Sequence, residues 1–224
     1  MSYRKKPFAF DEWYHCYSRS IDTNDIFKSK IDHERFLEAL YLCNSDKSIP
    51  RSYIRKPSFD ELLSLERGAP IVGIGAYCLM PNHFHLLLKE TSEGGISKFM
   101  QRLGTSFSMY FNTKYQRVGN VFVKPFRSKH IHNDQYLSQI VQYIHLNPAE
   151  LFEARWKEGV LKDEHGLEEK LRGYHYSSLP DYVGQERIET RILTQNEKNF
   201  LSPTLPRLTS VIEEAALYFR ENNV

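Results

Sequence analysis

The chain has 224 residues, a net charge of +2, and 41% hydrophobic against 26% charged side chains, a size and balance that suit one large globular domain or a domain with an appendage. No apolar run is long enough to span a bilayer, the leader MSYRKKPFAF lacks the apolar stretch of a signal peptide, and the three cysteines show no CxxC spacing. The sequence therefore predicts a cytoplasmic protein with no membrane span, disulfide frame or zinc knuckle.

Taken in order, WYHCYSR (Trp13–Arg19) is aromatic-rich and predicts a first strand. A polar turn follows, and from Asp32, a candidate N-cap, Phe36, Leu37, Leu40 and Tyr41 recur at helical spacing up to Asn44. Residues 45–70 carry Pro50 and Pro57 and read as a loop with one short helix around Phe59, Leu62, Leu63 and Leu65. Two strands, 71–80 and 83–90, are joined by the turn residues Pro81 and Asn82 as a tight hairpin. Gly94 and Gly95 open a long helix whose Ile96, Phe99, Met100, Leu103, Phe107, Tyr110 and Phe111 form one stripe, with Lys98, Arg102, Thr105, Ser108 and Asn112 on the other face.

KYQRVGNVFVKPFRSK (114–129) combines a glycine turn, a short β-like run and five basic residues. Interleaved with Phe122 and Phe126, these suit a nucleic-acid surface as well as they suit a lysine-protected edge strand. Asn133 or Asp134 caps the helix DQYLSQIVQYIHLN, which Pro148 ends. The order β, α, β, β, α, β, α predicts an α+β domain: an antiparallel ferredoxin-like or RRM-like sheet with helices packed on it. Beyond it, 150–170 is charged and helical in pattern, 174–184 (YHYSSLPDYVG) is a turn-rich aromatic segment, and 185–224 ends in an amphipathic helix. The division expected is 1–184 for the main domain and 185–224 for a helical appendage.

Two features carry chemistry. In PNHFHLLLKE the strand period of two places His83 and His85 on one face and Phe84, Leu86 and Leu88 on the other, so both imidazoles can reach one metal ion. Taken alone, such a pair is more often hydrogen-bonded than metal-bound. In the helix ending at Pro148, Leu137, Ile140, Val141 and Ile144 make the buried stripe, and Tyr143 and Asn147 stand together on one flank of it, with Tyr136 two turns earlier. Over a two-histidine strand, a phenol and a carboxamide would supply a nucleophile and a third, uncharged oxygen ligand for metal-assisted transesterification.

PNHFHLLL followed by YIHLNP resembles the single-tyrosine HUH transposases of insertion sequences, in particular the REP-associated tyrosine transposases. YHCYSRSIDTNDIF with HERFLEAL, VGNVFVKPFRSKHI, and YHYSSLPDYVG resemble further segments of that family, so the likeness runs from Trp13 to Gly184. It implies a ferredoxin-like HUH endonuclease domain that cuts and rejoins hairpin-flanked single-stranded DNA through a 5′-phosphotyrosine link. His83 and His85 would be the metal ligands, Tyr143 the nucleophile and Asn147 the third metal contact. The implied cofactor is a divalent metal, Mg2+ or Mn2+; imidazole ligands by themselves favour manganese or zinc over magnesium. The expected partner is hairpin-bearing single-stranded DNA, held by Lys124, Arg127, Lys129 and Arg102, and the protein would act as a monomer or homodimer.

An unperturbed phenol ionises near pH 10, so only about one in a thousand is a nucleophile at neutral pH and activation has to come from an ion or a base. His145 falls on the opposite side of the helix from Tyr143. Two rivals stand beside the transposase reading: an RRM-like module that binds single strands through aromatic residues without chemistry, and a two-histidine hydrolase that uses water on a small phosphoester.

Overall fold

The computed structural model describes residues 7–47, 55, 57–158, 162–201 and 210. Four strands, β1 (Trp13–Arg19), β2 (Gly73–Met80), β3 (His83–Lys89) and β4 (Arg127–Ile131), form one sheet in the order β2-β3-β1-β4. Every neighbouring pair is antiparallel. The β1-to-β2 crossover carries α1 (Lys30–Cys43) and α2 (Phe59–Ser64), and the β3-to-β4 crossover carries α3 (Gly95–Lys114). That strand order with two helical crossovers is the ferredoxin-like arrangement the sequence predicts, in an α+β fold.

Alternation along the strands divides the apolar residues between two cores. Tyr14, Cys16, Ile74, Tyr77, Leu79, Phe84, Leu86 and Leu88 face α1 and α3 and pack with Phe36, Leu40, Phe99, Leu103 and Phe107. Ala76, Cys78, Met80, Leu87 and Ile131 face the other way, against Leu137, Ile140, Val141 and Ile144 of α4 (Asp134–Leu146). The sheet thus lies between two helical layers, and α4 alone of the longer helices covers the second face.

Local chemistry sets the helix starts. Ser29, not Asp32, is the N-cap of α1; Asp32 stands three residues on, its carboxylate reaching back to the Lys28 and Ser29 backbone N–H groups at 3.0 and 2.8 Å. The carboxylate at the third position satisfies donors that would otherwise be orphaned, so the strongest acidic residue marks the helix interior and not its boundary. Gly94 precedes α3 at a φ of 69°, in the left-handed region glycine tolerates. Buried Glu90 accepts from Ile96 N at 2.7 Å, placing negative charge at that helix start. Asn133 caps α4 by accepting from Tyr136 N at 2.7 Å.

The charged stretch over 150–170, expected to be helical, is helical in pieces. It holds α5 (Ala149–Phe152), a 3-10 turn at Trp156–Glu158 and α6 (Glu164–Arg172), because Glu153 leaves the helical region and Asp163 caps a new start by accepting from Gly166 N. Trp156 is buried in a third small core with Leu146, Ala149, Leu167, Leu171 and Leu179, which a single straight helix could not wrap.

The chain after α6 returns to β2. Ser178 Oγ accepts from Tyr77 N at 3.0 Å, in the turn before α7 (Leu179–Tyr182), and Tyr182 donates to the Gly75 carbonyl. Beyond residue 184, Ile192 and Leu193 enter the first core, and Leu201, at the end of α8 (Gln195–Leu201), enters the second. Apart from residue 210, the chain beyond Leu201, where the expected terminal helix falls, lies outside the described residues.

Candidate active site

Strand register assembles the site. On the face toward α4, His85 opposes Tyr17 of β1, which in turn opposes Arg127 of β4; one row along, His15 opposes Lys129. His83 stands opposite Arg19. On this face β2, with Leu87, Trp13 and Ile131, is apolar and packed against α4, whereas the remaining positions of β3, β1 and β4 carry imidazoles, a phenol and cations. The two histidines singled out from the sequence lie where these two groups meet.

Each ring has a defined neighbour. His83 and His85 have ring centroids 5.1 Å apart at an interplanar angle of 86°. His83 Nδ1 lies 2.7 Å from Asn82 Oδ1, and Asn82 Nδ2 donates to the Thr23 carbonyl at 3.0 Å. His85 Nδ1 lies 2.8 Å from His15 Nε2, both side chains being buried. Burial, with the charge of Lys129 second, holds the His15 pKa down at about 4, so this ring is neutral near pH 7.

Tyr143 comes down from α4 onto this group. Its ring is edge-on to His85, with centroids 5.5 Å apart, and edge-on to His15 at 5.8 Å. Asn147 follows one turn later, buried, and its amide donates to the Tyr143 carbonyl at 2.8 Å. The flank of α4 expected from helical phase does bring Tyr143 over the histidines. Tyr136 is drawn elsewhere, stacked with His132 at 5.4 Å under the Lys129 ammonium at 5.0 Å. Tyr110 and Tyr115 belong to the opposite layer, both donating to Asp32. His145 also points away: its Nε2 lies 2.8 Å from Ser178 Oγ and its ring rests near Tyr182.

Of the cations named from the sequence, Arg127 and Lys129 are exposed on the face that carries the histidines, and Lys124 is exposed in the segment leading into β4. Arg102 is not brought to this group. It lies on α3, across the sheet, with Nη1 donating to the Ser45 carbonyl at 2.6 Å and so holding the chain that leaves α1.

Among the described residues no group of three His, Cys, Asp or Glu side chains is placed to hold a metal ion. The residues that would have to hold a divalent ion here are two imidazoles whose Nδ1 atoms are already engaged and the Asn147 carboxamide one turn beyond Tyr143. Such a set leaves coordination positions open and adds no negative charge, which suits an ion that must attract phosphate.

Sequence reasoning did not single out His15, Tyr17 or Asn82. His15 and Tyr17 alternate along WYHCYSR, which places them on one face of β1, but only the pairing of β1 with β3 shows that this face is the one holding His85.

Residues 68–147 match the family model described as "Transposase IS200 like". The match runs from before β2 to Asn147, so it contains His83, His85, Tyr143 and Asn147 and leaves out His15. Over these residues the chain is similar to IS200-like transposases, in agreement with the resemblance read from its motifs. A solved structure, "Structure of the REP associates tyrosine transposase bound to a REP hairpin", is similar at 14% identity and a TM-score of 0.48, over 84% of this chain and 90% of that one. No curated protein matches.

Proposed function

We propose that this protein is a transposase-type nicking and strand-transfer enzyme that acts on hairpin-bearing single-stranded DNA through a covalent 5′-phosphotyrosine on Tyr143. The observation that carries the reading is the placement of the Tyr143 ring against His85, on a histidine pair whose Nδ1 atoms are both engaged.

In the proposed step the Tyr143 oxygen forms a bond to phosphorus as the bond from phosphorus to the 3′ oxygen breaks. The phenolic proton ends on the departing strand as a 3′-hydroxyl, and the 5′ phosphate stays esterified to the protein. A second 3′-hydroxyl run through the reverse step rejoins DNA without an external energy source. A divalent ion, Mg2+ or Mn2+, held by His83 and His85 with Asn147, would supply positive charge at the scissile phosphate.

The protein's own groups account for the rest. Ile140, Val141 and Ile144 seat α4 on the sheet, so Tyr143 is delivered by a rigid helix and not by a loop. Arg127, Lys129 and Lys124 provide an exposed basic track on or leading to the reactive face. A stiff duplex would have to be distorted to bring a phosphate under a helix packed on a sheet, which favours single strands.

The test is binding and cutting of a hairpin-bearing single strand against a blunt duplex in Mn2+ at several salt concentrations. The single strand is expected to be bound and cut, with affinity falling as salt rises, and Arg127→Ala is expected to reduce the salt slope by about 1. Preferential cutting of the paired duplex would reject the proposal.

A further inference from the structure

A neutral imidazole can ligate an ion only through the nitrogen that lacks hydrogen, and the partner of the other nitrogen decides which one that is. For His83 the partner is itself fixed. The Thr23 carbonyl can only accept, so Asn82 must turn Nδ2 toward it, which leaves Oδ1 facing His83 Nδ1 as an acceptor. His83 is then protonated on Nδ1 and its Nε2 carries the lone pair.

The same question arises at His85, whose Nδ1 meets His15 Nε2 at 2.8 Å. One nitrogen must donate and the other accept. If His15 donates, the proton of His85 sits on Nε2 and that ring cannot ligate; if His15 accepts, His85 carries its lone pair on Nε2, as His83 does. His15 meets His85 from a fixed position: it stands on the inner strand β1, buried and paired across from β3, and its ring rests beside Tyr17 at 5.0 Å.

Resting on the metal-site reading given under Proposed function, we propose that His15 and Asn82 are positioning residues that hold His85 and His83 protonated on Nδ1 and so present both Nε2 atoms to one divalent cation. Neither residue touches the ion or the DNA in this scheme. Asn82 works from the hairpin turn, next in sequence to its histidine; His15 works from a strand seventy positions earlier and outside the segment that matches the transposase family.

The experiment has two parts on the whole chain. Long-range 15N–1H spectra of the metal-free protein read the protonated nitrogen of each imidazole directly, and Mn2+ titration followed by electron paramagnetic resonance reads affinity. Wild type is expected to show His83 and His85 both protonated on Nδ1. His15→Ala is expected to lose that preference at His85 alone and to weaken Mn2+ binding by about 10- to 100-fold, with His15→Gln, whose amide oxygen can still accept, recovering most of it. Asn82→Ala should do the same at His83. A wild-type His85 protonated on Nε2, or His15→Ala binding Mn2+ as wild type does, would overturn the proposal even if one variant folds poorly. His83→Ala and His85→Ala separate the two claims: if they too leave Mn2+ binding unchanged, the metal site fails, whereas if they abolish it and His15→Ala does not, only the positioning role fails.

Discussion

Asp32 is the most heavily bonded carboxylate described, and it lies on the layer away from the histidines. It is fully buried and accepts from Lys114 Nζ at 2.7 Å and from the hydroxyls of Tyr110, Tyr115 and Ser29 at 2.7, 2.8 and 2.9 Å. Burial raises its pKa, and the Lys114, Tyr110, Tyr115 and Ser29 donors more than reverse this, bringing it to about 2. Because the folded value lies below that of an unfolded aspartate, about 3.9, the stabilisation is complete above pH 4 and is lost as pH falls toward 2. Asp32→Asn is expected to cost about 2 kcal/mol or more at pH 7. In melts of the two proteins the gap should narrow between pH 4 and pH 2; a gap independent of pH would contradict this. At the same scale, His83 and His85 were legible in the sequence because alternation along a strand needs no partner to be known. His15 was not, since its role depends on a register between β1 and β3 that no local pattern encodes.

Among the elements, α4 carries the proposed nucleophile. Its apolar stripe is legible from spacing alone, and that stripe fixes the direction of Tyr143 one residue before the fully buried Ile144. Ile144→Ala should cost about 2–5 kcal/mol, from lost burial and the cavity left behind. It should also reduce strand cleavage in the fraction that stays folded, because the helix that presents Tyr143 loses part of its seat. A variant melting as wild type while keeping full activity would show that α4 is positioned by something else. The charged region after Pro148 was less legible: Glu153, the cap at Asp163 and the inward Trp156 divide it into short pieces. Spacing reports the face that a helix buries and says little about where tertiary packing interrupts it.

Over the whole molecule, the sheet separates a layer packed under α1 and α3 from one that carries the candidate site. The first face is sealed by α1 and α3; the second packs its apolar positions and the buried His15 and His85 under α4 and leaves Arg127 and Lys129 exposed. The region after residue 184, set apart in the sequence as an appendage, contributes described residues that reach back to β2. Arg187 Nη2 donates to the Tyr77 hydroxyl at 3.0 Å, the Ser177 carbonyl at 2.5 Å and Asp181 Oδ2 at 2.6 Å, and Thr194 Oγ1 accepts from Ile74 N at 2.9 Å. The pairings of Arg187 with Tyr77 and of Thr194 with Ile74, 110 and 120 positions apart, have no signature in local composition. With Asp181 fully buried in the pair, Arg187→Ala should destabilise the protein by about 3–5 kcal/mol in a urea melt, and a loss under 1 kcal/mol would mean the segment is only loosely attached.

Identification of the residue that becomes covalently joined to DNA tests the central claim most directly. A labelled hairpin-bearing single strand is incubated with Mn2+ and the wild-type, Tyr143→Phe or Tyr136→Phe protein, and any adduct is digested and mapped to a peptide. Wild type and Tyr136→Phe are expected to carry the label on the α4 peptide at Tyr143, while Tyr143→Phe binds the strand and gives no adduct. Labelling of Tyr143→Phe, or its loss in Tyr136→Phe alone, would contradict the account.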